Sequence, residues 1–266
     1  MFPISKQHAH AYAHLFAPIA DSIVLSCLHG VMGELYVDTP KDARCGVIHL
    51  GDFCFIGGDA HAPTAHHLLR HLPLDQHAQM LWIPCQKAWI PPLLAIWEGR
   101  IEMHARYAMC PPASFDRNRL SNFVADCPAG YVCVPIDAAL ARQALSMPWS
   151  KDLCGNFIDA DDFAARGLGM GILHRGQLVA GASSYSVYPG GIEIEIDTHP
   201  QHRQKGLART CAAALVLSCL SRDLTPCWDA ANLASVHLAT RLGYRFLYSY
   251  PAFTPLDWKG DSACGC

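Results

Sequence analysis

The chain of 266 residues has few charges, no excess of basic residues and no long uninterrupted apolar run. Charged residues make up 16% of it, and the 20 Lys and Arg do not outnumber the 23 Asp and Glu. These counts exclude binding to nucleic acid through bulk positive charge. The apolar stretches near residues 80–97 and 210–220 are interrupted or fall short of the roughly 20 apolar residues that a membrane span needs. We therefore expect neither a nucleic-acid nor a membrane partner.

The N-terminus also lacks the pattern of an export signal, because no basic segment precedes the apolar part and Asp21 interrupts it. We therefore expect a cytoplasmic protein, in which thiols stay reduced. The 13 Cys include no C-x-x-C pair, and the only close pair is Cys264 and Cys266 at the end of the chain. Most of the cysteines are interpreted as small buried hydrophobic residues.

The 15 His do not form a recognisable metal motif. His67 and His71 would share one face of a helix, as the two histidines of a zinc helix do. The residue after His67 is Leu68, however, whereas the zinc motif has a glutamate there as general base. The sequence therefore predicts no metal site, and these histidines are interpreted as a solvated helix surface.

The composition and the pattern of apolar runs change near residue 125. The first 110 residues carry short apolar runs such as Ile23–Leu28, either a strand or a helix, and Gly46–Ile56, which has the length of one strand. Residues 110–130 contain two proline-rich breaks around a short helical pattern at Asp116–Val124. We therefore predict two domains, residues 1–125 with an α/β fold and residues 126–266.

The second half has clearer patterns of secondary structure. Strands are predicted at Tyr131–Ile136, Met170–His174, Leu178–Tyr188, Ile192–Thr198 and Tyr244–Tyr250. Helices are predicted at Ala138–Leu145, Phe157–Ala165, Gly206–Arg222 and Asn232–Leu242. Three strands in antiparallel order followed by strand–helix–strand crossovers predict an α+β fold.

One strand of this half concentrates acidic residues. Ile192–Thr198 alternates apolar and acidic positions, so Glu193, Glu195 and Asp197 share one face of the strand. Paired carboxylates can carry out general acid–base catalysis. The alternative is a strand with a solvated acidic face.

The turn after this strand has the composition of an anion site. Residues 203–208, RQKGLA, lead from the strand into a helix, where unpaired backbone N–H groups and the helix dipole favour a negative charge. Gly206 and Ala208 leave room for a diphosphate, and Arg203 and Lys205 add positive charge. The alternative is a surface turn that happens to carry two cations.

RQKGLA, the preceding EIEIDTHP and the later WDAANLASVHLATRLGY resemble the GNAT superfamily of acetyl-CoA-dependent N-acetyltransferases. The longer run SSYSVYPGGIEIEIDTHPQHRQKGLA and the boundary segment FDRNRL are similar to the subfamily of zwittermicin A resistance-like proteins. The resemblance implies a GNAT fold for residues 126–266, a mixed and mostly antiparallel sheet with helices on both faces. It implies a smaller α/β domain before it, either a degenerate GNAT-like unit or a substrate lid.

The resemblance implies three groups of residues that bind acetyl-CoA. The diphosphate would lie beside Arg203 on the backbone N–H groups of Gln204, Lys205, Gly206, Leu207 and Ala208. The pantetheine arm would pair with the backbone of Ile196, Asp197 and Thr198. Asn232 and Ser235, which open the later helix, would contact the same arm.

The resemblance identifies the catalytic residues less clearly than the residues that bind acetyl-CoA. The family's general base would be one of Glu193, Glu195 and Asp197, but the usual spacing from the loop falls on Ile192 and Ile194 unless a β-bulge shifts the register.

The family's usual general-acid tyrosine falls on Ala239. Tyr185, Tyr248 and Tyr250 are possible substitutes, and Tyr250 is our candidate. Unassisted departure of the thiolate is the alternative, since a free thiol has a pKa near 8.5.

The sequence as a whole predicts an enzyme that transfers the acetyl group of acetyl-CoA to a primary amine of a small molecule, by direct attack in a ternary complex. No metal is expected. The alternative, motivated by Ala239, is a non-catalytic CoA-binding sensor or interaction module. The identity of the amine and the oligomeric state stay open.

Overall fold

A computed structural model describes residues 1–17, 19, 21–72 and 80–256. The chain divides into two units, and each is described by itself: unit 1 consists of residues 1–106 and 250–266, and unit 2 of residues 107–249. Cys264 and Cys266 lie outside the described residues.

The strands of the described residues are, in chain order, β1 (Phe2–Ile4), β2 (Glu34–Val37), β3 (Cys45–Leu50), β4 (Phe53–Gly58), β5 (Leu81–Pro84), β6 (Ile101–Cys110), β7 (Tyr131–Pro135), β8 (Gly169–His174), β9 (Gln177–Tyr188), β10 (Gly191–Thr198), β11 (Thr225–Ala230) and β12 (Arg245–Pro255).

The α-helices are α1 (Ala13–Phe16), α2 (Ser22–Leu28), α3 (Ala65–Arg70), α4 (Ile90–Ile96), α5 (Arg117–Ala125), α6 (Ala138–Leu145), α7 (Ala160–Arg166), α8 (Leu207–Leu220) and α9 (Leu233–Leu242). Short 3₁₀ turns occur at Lys6–Tyr12, Lys87–Trp89, Lys151–Leu153 and Pro200–His202.

In unit 1, β1 to β4 pair antiparallel in chain order and β5 pairs parallel with β4. The prediction of one strand over Gly46–Ile56 is wrong, because Gly51 with φ +60° turns the chain into a hairpin between β3 and β4. Ile23–Leu28 is helical and lies in α2. The Asp21 carboxylate caps this helix by accepting from the backbone N–H groups of Ile23 and Val24.

In unit 2 the sheet has the order β6-β11-β10-β9-β8-β7, and β10 and β11 form its parallel pair. The α+β prediction is confirmed, and the predicted strands and helices of this half occur within a few residues of their expected bounds. The β8–β9 hairpin turns at Arg175 and Gly176, which have φ values of +51° and +77°. Positive φ at both central residues is typical of a type I′ turn.

Unit 2 begins before the boundary that the sequence suggested. The expected boundary near residue 125 falls after α5, whereas Leu120 of α5 is fully buried in the core of unit 2. The carbonyl of Phe123 also accepts a 3.1 Å hydrogen bond from Thr210 Oγ1 of α8. Burial of one apolar face of α5 on α8 explains why this helix belongs to unit 2.

The core of unit 2 lies between α8 and one face of the sheet. Ile192 and Ile194 of β10 and Trp228 and Ala230 of β11 belong to it, together with most of α8. The other face of β9 and β10 is covered near Leu153, which contacts Gly181. Helices therefore lie on both faces of the sheet.

The two units share one order of elements. Each runs strand, two helices, three antiparallel strands, helix, parallel strand and helix, from β1 to α4 in unit 1 and from β7 to α9 in unit 2. Unit 1 therefore has the topology of a second copy of unit 2.

Candidate functional site

The sheet of unit 2 opens between β10 and β11. These strands pair only from Gly191 to Glu193, although β10 continues to Thr198 with β9 on its other side. Among the described residues, the edge of β10 at Ile196, Asp197 and Thr198 therefore has no strand partner on the β11 side. An extended ligand can bind there by backbone hydrogen bonds.

Glu193 lies where the two strands part. Its side chain is 6% exposed, and its Oε1 accepts a 2.7 Å hydrogen bond from the backbone N–H of Asp229 on β11. This bond crosses the opening and fixes the carboxylate in place.

The three acids predicted to share a face do so. Glu193 lies opposite Ser186 of β9, Glu195 opposite Ser183, and Asp197 opposite Gly181, while Ile192 and Ile194 point into the core. Cys227 and Asp229 of β11 lie on the same face of the sheet as Glu193. Cys227 is the parallel partner of Glu193, and Asp229 follows Cys227 by two residues, so its side chain points the same way. We call this surface the acidic face.

A register shift occurs between Glu193 and Ile194, where the sequence argument left room for a β-bulge, but the extra residue is Tyr185 on β9. The alternation of β10 is therefore unchanged. The acids stay on one side and the isoleucines on the other, so the bulge does not move the family's expected base position onto an acid.

The carboxyl of Asp197 is perturbed by its surroundings. Burial and the nearby Asp152 carboxylate raise the pKa of Asp197 to about 6, and Arg203 opposes the shift. A carboxyl with this pKa changes its charge close to neutral pH, which suits a group that binds or moves a proton.

A phenol also lies on this face. The Tyr188 hydroxyl is 3.3 Å from Cys227 Sγ, and burial, assisted by Cys227, raises the pKa of Tyr188 well above its usual range. Tyr188 therefore stays protonated at neutral pH and is a weaker acid than a free tyrosine.

The loop before α8 has the open backbone that the sequence predicted. Gly206, with φ +80°, is the N-cap of α8, and a Cβ built on it would come within 4 Å only of Arg209 Nη2, at 3.7 Å. The N–H groups of Leu207 and Ala208 precede the first helical hydrogen bond, which Thr210 N donates to Gly206 O. A diphosphate therefore has both space and donors at this turn.

Cations surround this loop. Arg203 Nε donates to Thr198 O at 3.2 Å, and Lys205 Nζ donates to Tyr131 Oη at 3.1 Å. Arg209 adds a third cation, and within the described ranges its buried Nε has no hydrogen-bond partner. A buried guanidinium nitrogen without a partner, beside an open helix N-terminus, suits the binding of an anion.

Histidines border the loop on the β7 side. The ring of His202 lies 5.3 Å from that of His174 and 5.6 Å from that of His199, and its Nδ1 is 3.0 Å from Tyr131 Oη. Desolvation and the positive charge of Lys205 lower the pKa of His202. The sequence argument did not find this cluster, because its members come from different elements.

Asn232 and Ser235 have structural partners at the start of α9. Asn232 Oδ1 caps the helix by accepting from Ser235 N at 3.0 Å, and Ser235 Oγ accepts from Trp228 Nε1 at 3.0 Å. The pair therefore fixes the N-terminus of α9 against β11.

The tyrosine candidates are dispersed. Tyr185 is the buried bulge residue of β9, Tyr248 is exposed on β12, and Tyr250 is the first β12 residue that belongs to unit 1. Ala239, at the family's usual tyrosine position, is fully buried in the core of unit 2.

The sequence argument did not identify four residues at the acidic face: Asp152, Ser186, Tyr188 and Asp229. Ser186 and Tyr188 lie in SSYSVY, and only the pairing with β10 shows which of its side chains point to the acids. Asp152 comes from a 3₁₀ turn without a periodic pattern.

Within the described residues, no three His, Cys, Asp or Glu side chains are placed to hold a metal ion. In the same part of the chain, no helix is long and apolar enough to cross a membrane. The described cysteines are all free thiols, and burial raises the pKa of those in the cores, such as Cys27 to about 12.

A family model for GNAT acetyltransferases matches residues 13–253. Among curated proteins, the chain is similar to the uncharacterized N-acetyltransferase YdfB of Bacillus subtilis (strain 168), with 29% identity over 93 residues. That match covers 34% of this chain and 36% of the length of the relative.

Solved structures extend the similarity to nearly all of the chain. A GCN5-related N-acetyltransferase-like protein from Streptococcus suis 89/1591 is 35% identical, with a TM-score of 0.85 over 95% of this chain and 100% of the other. A GCN5-related N-acetyltransferase from Kribbella flavida is 16% identical, with a TM-score of 0.55 over 98% of each chain.

A tandem GNAT protein from the clavulanic acid biosynthesis pathway is 12% identical, with a TM-score of 0.53 over 95% of this chain and 96% of the other. The likenesses at 16% and 12% identity show the fold alone. The tandem architecture fits the element order that the two units share.

Proposed function

The chain belongs to the GNAT acetyltransferase family and is an acyltransferase; on that premise we propose that unit 2 transfers the acetyl group of acetyl-CoA to a primary amine of a small molecule. One observation carries the proposal. The open edge of β10 leads directly into a loop that presents free helix N-terminal N–H groups, and the acidic face begins where the edge opens.

The residues around the opening fit acetyl-CoA. The N–H groups of residues 204–208 would hold the diphosphate, with Arg203, Lys205 and the unpaired Arg209 Nε supplying positive charge. The backbone of Ile196, Asp197 and Thr198 would pair with the pantetheine arm, beside Asn232 and Ser235 at the start of α9. When bound, the cofactor supplies an activated acetyl thioester at the point where β10 and β11 part.

We assign the general base to Glu193. It lies at that point and is fixed by the N–H of Asp229, so its carboxylate is held ready to accept the proton that the amine loses as it attacks. Glu195 and Asp197 lie further along the acidic face, where their charge would attract the cationic form of the amine.

The thiolate leaving group needs a proton in return. Tyr250 is the candidate from the sequence, and Tyr188 is the candidate from the structure, because its hydroxyl lies on the acidic face, 3.3 Å from Cys227 Sγ of β11. The longer sequence run around β9 and β10 supports a finer assignment to the zwittermicin A resistance-like subfamily, which would make the amine antibiotic-like.

Isothermal titration of the full chain with acetyl-CoA tests the proposal. Gly206→Glu should abolish binding, because its side chain fills the diphosphate site and adds a negative charge. Gly190→Glu is the matched control. Gly190 also has a positive φ (+99°) and nothing within 4 Å of a built Cβ, but it lies at the opposite end of β10.

Equal affinity of wild type and Gly206→Glu would mean that the loop is not the cofactor site. Binding without turnover on any amine would favour the alternative, a CoA-binding sensor or interaction module. Ala239 is the observation that favours this alternative, since the position of the usual general acid is buried in the core.

A further inference from the structure

Three histidines from different elements meet beside the loop of residues 203–208. The ring of His202 lies 5.3 Å from that of His174 on β8 and 5.6 Å from that of His199, and all three residues are half-buried. We call them the histidine cluster. The charged groups that act on His202 are Lys205 and the other two histidines, and in the described part of the chain no carboxylate is among them. Basic groups collected without an acid favour an anion.

Two members of the cluster keep a ring N–H for a ligand. Nδ1 of His199 accepts from the backbone N–H of Gln201 at 3.3 Å, so a neutral His199 carries its hydrogen on Nε2. Nδ1 of His202 is 3.0 Å from Tyr131 Oη, and this oxygen already accepts from Lys205 Nζ, so its own hydrogen is available to Nδ1. His202 then also carries its hydrogen on Nε2. Among the described residues, neither Nε2 atom has a hydrogen-bond partner.

Lys205 and His174 complete the set of donors. Lys205 Nζ donates to Tyr131 Oη at 3.1 Å and to Gln201 O at 3.5 Å, and within the described ranges it has no ion pair. His174 Nδ1 donates to Gly130 O at 3.0 Å, so its Nε2 becomes a donor when the ring is protonated. The ammonium therefore lies beside the rings with its charge uncompensated.

We propose that the histidine cluster and Lys205 bind a phosphate monoester. Such a group is close to a dianion at neutral pH and has three strong acceptor oxygens, which match the two Nε2–H donors and the ammonium.

The phosphate monoester has two possible sources. One is the 3′-phosphate on the ribose of CoA. For this source the inference rests on the proposed function, which puts the diphosphate on the N–H groups of residues 204–208, shortly after His202. The other source is a free phosphate that binds independently of the cofactor.

Binding should take up protons. Desolvation and the charge of Lys205 lower the pKa of His202, so its ring is neutral at pH 7 in the free protein. The titratable groups that face this ring are Tyr131 of β7, His174 of β8, His199 and Lys205. A dianion added among them favours the imidazolium form. The affinity for the phosphate monoester should therefore fall as the pH rises.

Calorimetric titration of the full chain with CoA and with 3′-dephospho-CoA tests the inference. At pH 7 we expect CoA to bind on the order of tenfold more tightly, as charge-assisted hydrogen bonds supply, and the advantage should shrink at pH 8.5. Titrations at pH 7 in PIPES and in ACES, which differ in their heats of ionisation, count the protons taken up. CoA should take up more of them than 3′-dephospho-CoA.

Two variants separate a phosphate site from a structural support of the loop. His174→Ala and His202→Ala should each remove most of the advantage of CoA and leave the affinity for 3′-dephospho-CoA unchanged, which also shows that the variant is folded. A structural role alone would weaken both ligands equally. His237→Ala is the matched control, because His237 is an exposed histidine of α9, and it should change neither affinity.

Inorganic phosphate identifies the source. If the site takes the 3′-phosphate of the cofactor, CoA displaces inorganic phosphate from the protein and 3′-dephospho-CoA does not. If the site takes a free phosphate, inorganic phosphate binds equally well with and without CoA, and both histidine variants weaken it.

Two results would overturn the inference and leave the proposed function in place. One is equal affinity for CoA and 3′-dephospho-CoA together with phosphate binding that is absent or insensitive to both histidine variants. The other is an equal loss of both ligands in His174→Ala and His202→Ala. If wild type binds neither CoA nor 3′-dephospho-CoA, the proposed function is overturned instead, and the titration with inorganic phosphate decides the inference.

Discussion

Replacing Asp197 by Asn should stabilise the protein at neutral and alkaline pH. Burial and Asp152 raise the pKa of Asp197 from 3.8 to about 6, so the folded state binds this proton more tightly than the unfolded state does. The native protein therefore loses stability as pH rises through this window. Asparagine has nearly the same shape and no charge, so the variant does not lose folding stability as the pH rises.

The shift corresponds to at most roughly 3 kcal/mol. Because Asp197 is only part-buried, solvent screening reduces this figure, and we expect a gain of about 1–2 kcal/mol. Urea unfolding of wild type and Asp197→Asn at pH 4 and pH 8 measures it, with only a small gain at pH 4, just above the unfolded-state pKa of 3.8, and the full gain at pH 8. Asp152→Asn should give a smaller gain of the same sign. A gain that is absent at pH 8, or equally large at pH 4, would refute the reasoning.

Further substitutions test the other parts of the site. Glu193→Gln should lower kcat by about 10²–10⁴ with an unchanged Kd for acetyl-CoA in calorimetry, because it removes the base and leaves the loop intact; a kcat near that of wild type would exclude Glu193 as the base. Of Tyr188→Phe and Tyr250→Phe, the variant of the true proton donor should lower kcat with an unchanged Kd for acetyl-CoA, and two unchanged kcat values would show that the thiolate leaves unaided. Asn232→Ala should cost about 1 kcal/mol in urea unfolding, because α9 loses its N-cap, whereas Asn232→Ser should retain most of that stability.

Much of unit 2 could be predicted from the sequence, because local patterns there agree with the final packing. The alternation of β10 places Glu193, Glu195 and Asp197 on one face, and the structure retains it. Arg175 and Gly176 form the predicted hairpin turn, and Gly206 begins the predicted helix with the expected open space. In each case the residues of one short stretch of sequence are enough to determine its local structure.

The remaining features depend on contacts between distant parts of the chain. The position of Ser186 opposite Glu193 follows only from the register of β9 against β10, which includes the bulge at Tyr185. The charge of Asp152 acts on Asp197 from a different element, and α5 joins unit 2 through Leu120. In unit 1, Gly51 divides an apolar run that periodicity alone could not separate into two strands. Pairing and burial decide these points, and no local pattern encodes them.

The crystal structure of the full chain with bound CoA tests the central claim most directly. The account predicts the diphosphate within hydrogen-bond distance of the N–H groups of Lys205, Gly206, Leu207 and Ala208, and the pantetheine arm paired with β10 at Ile196 to Thr198. The thiol should then point to Glu193. CoA bound in unit 1, or bound in unit 2 away from the open edge of β10, would contradict the account.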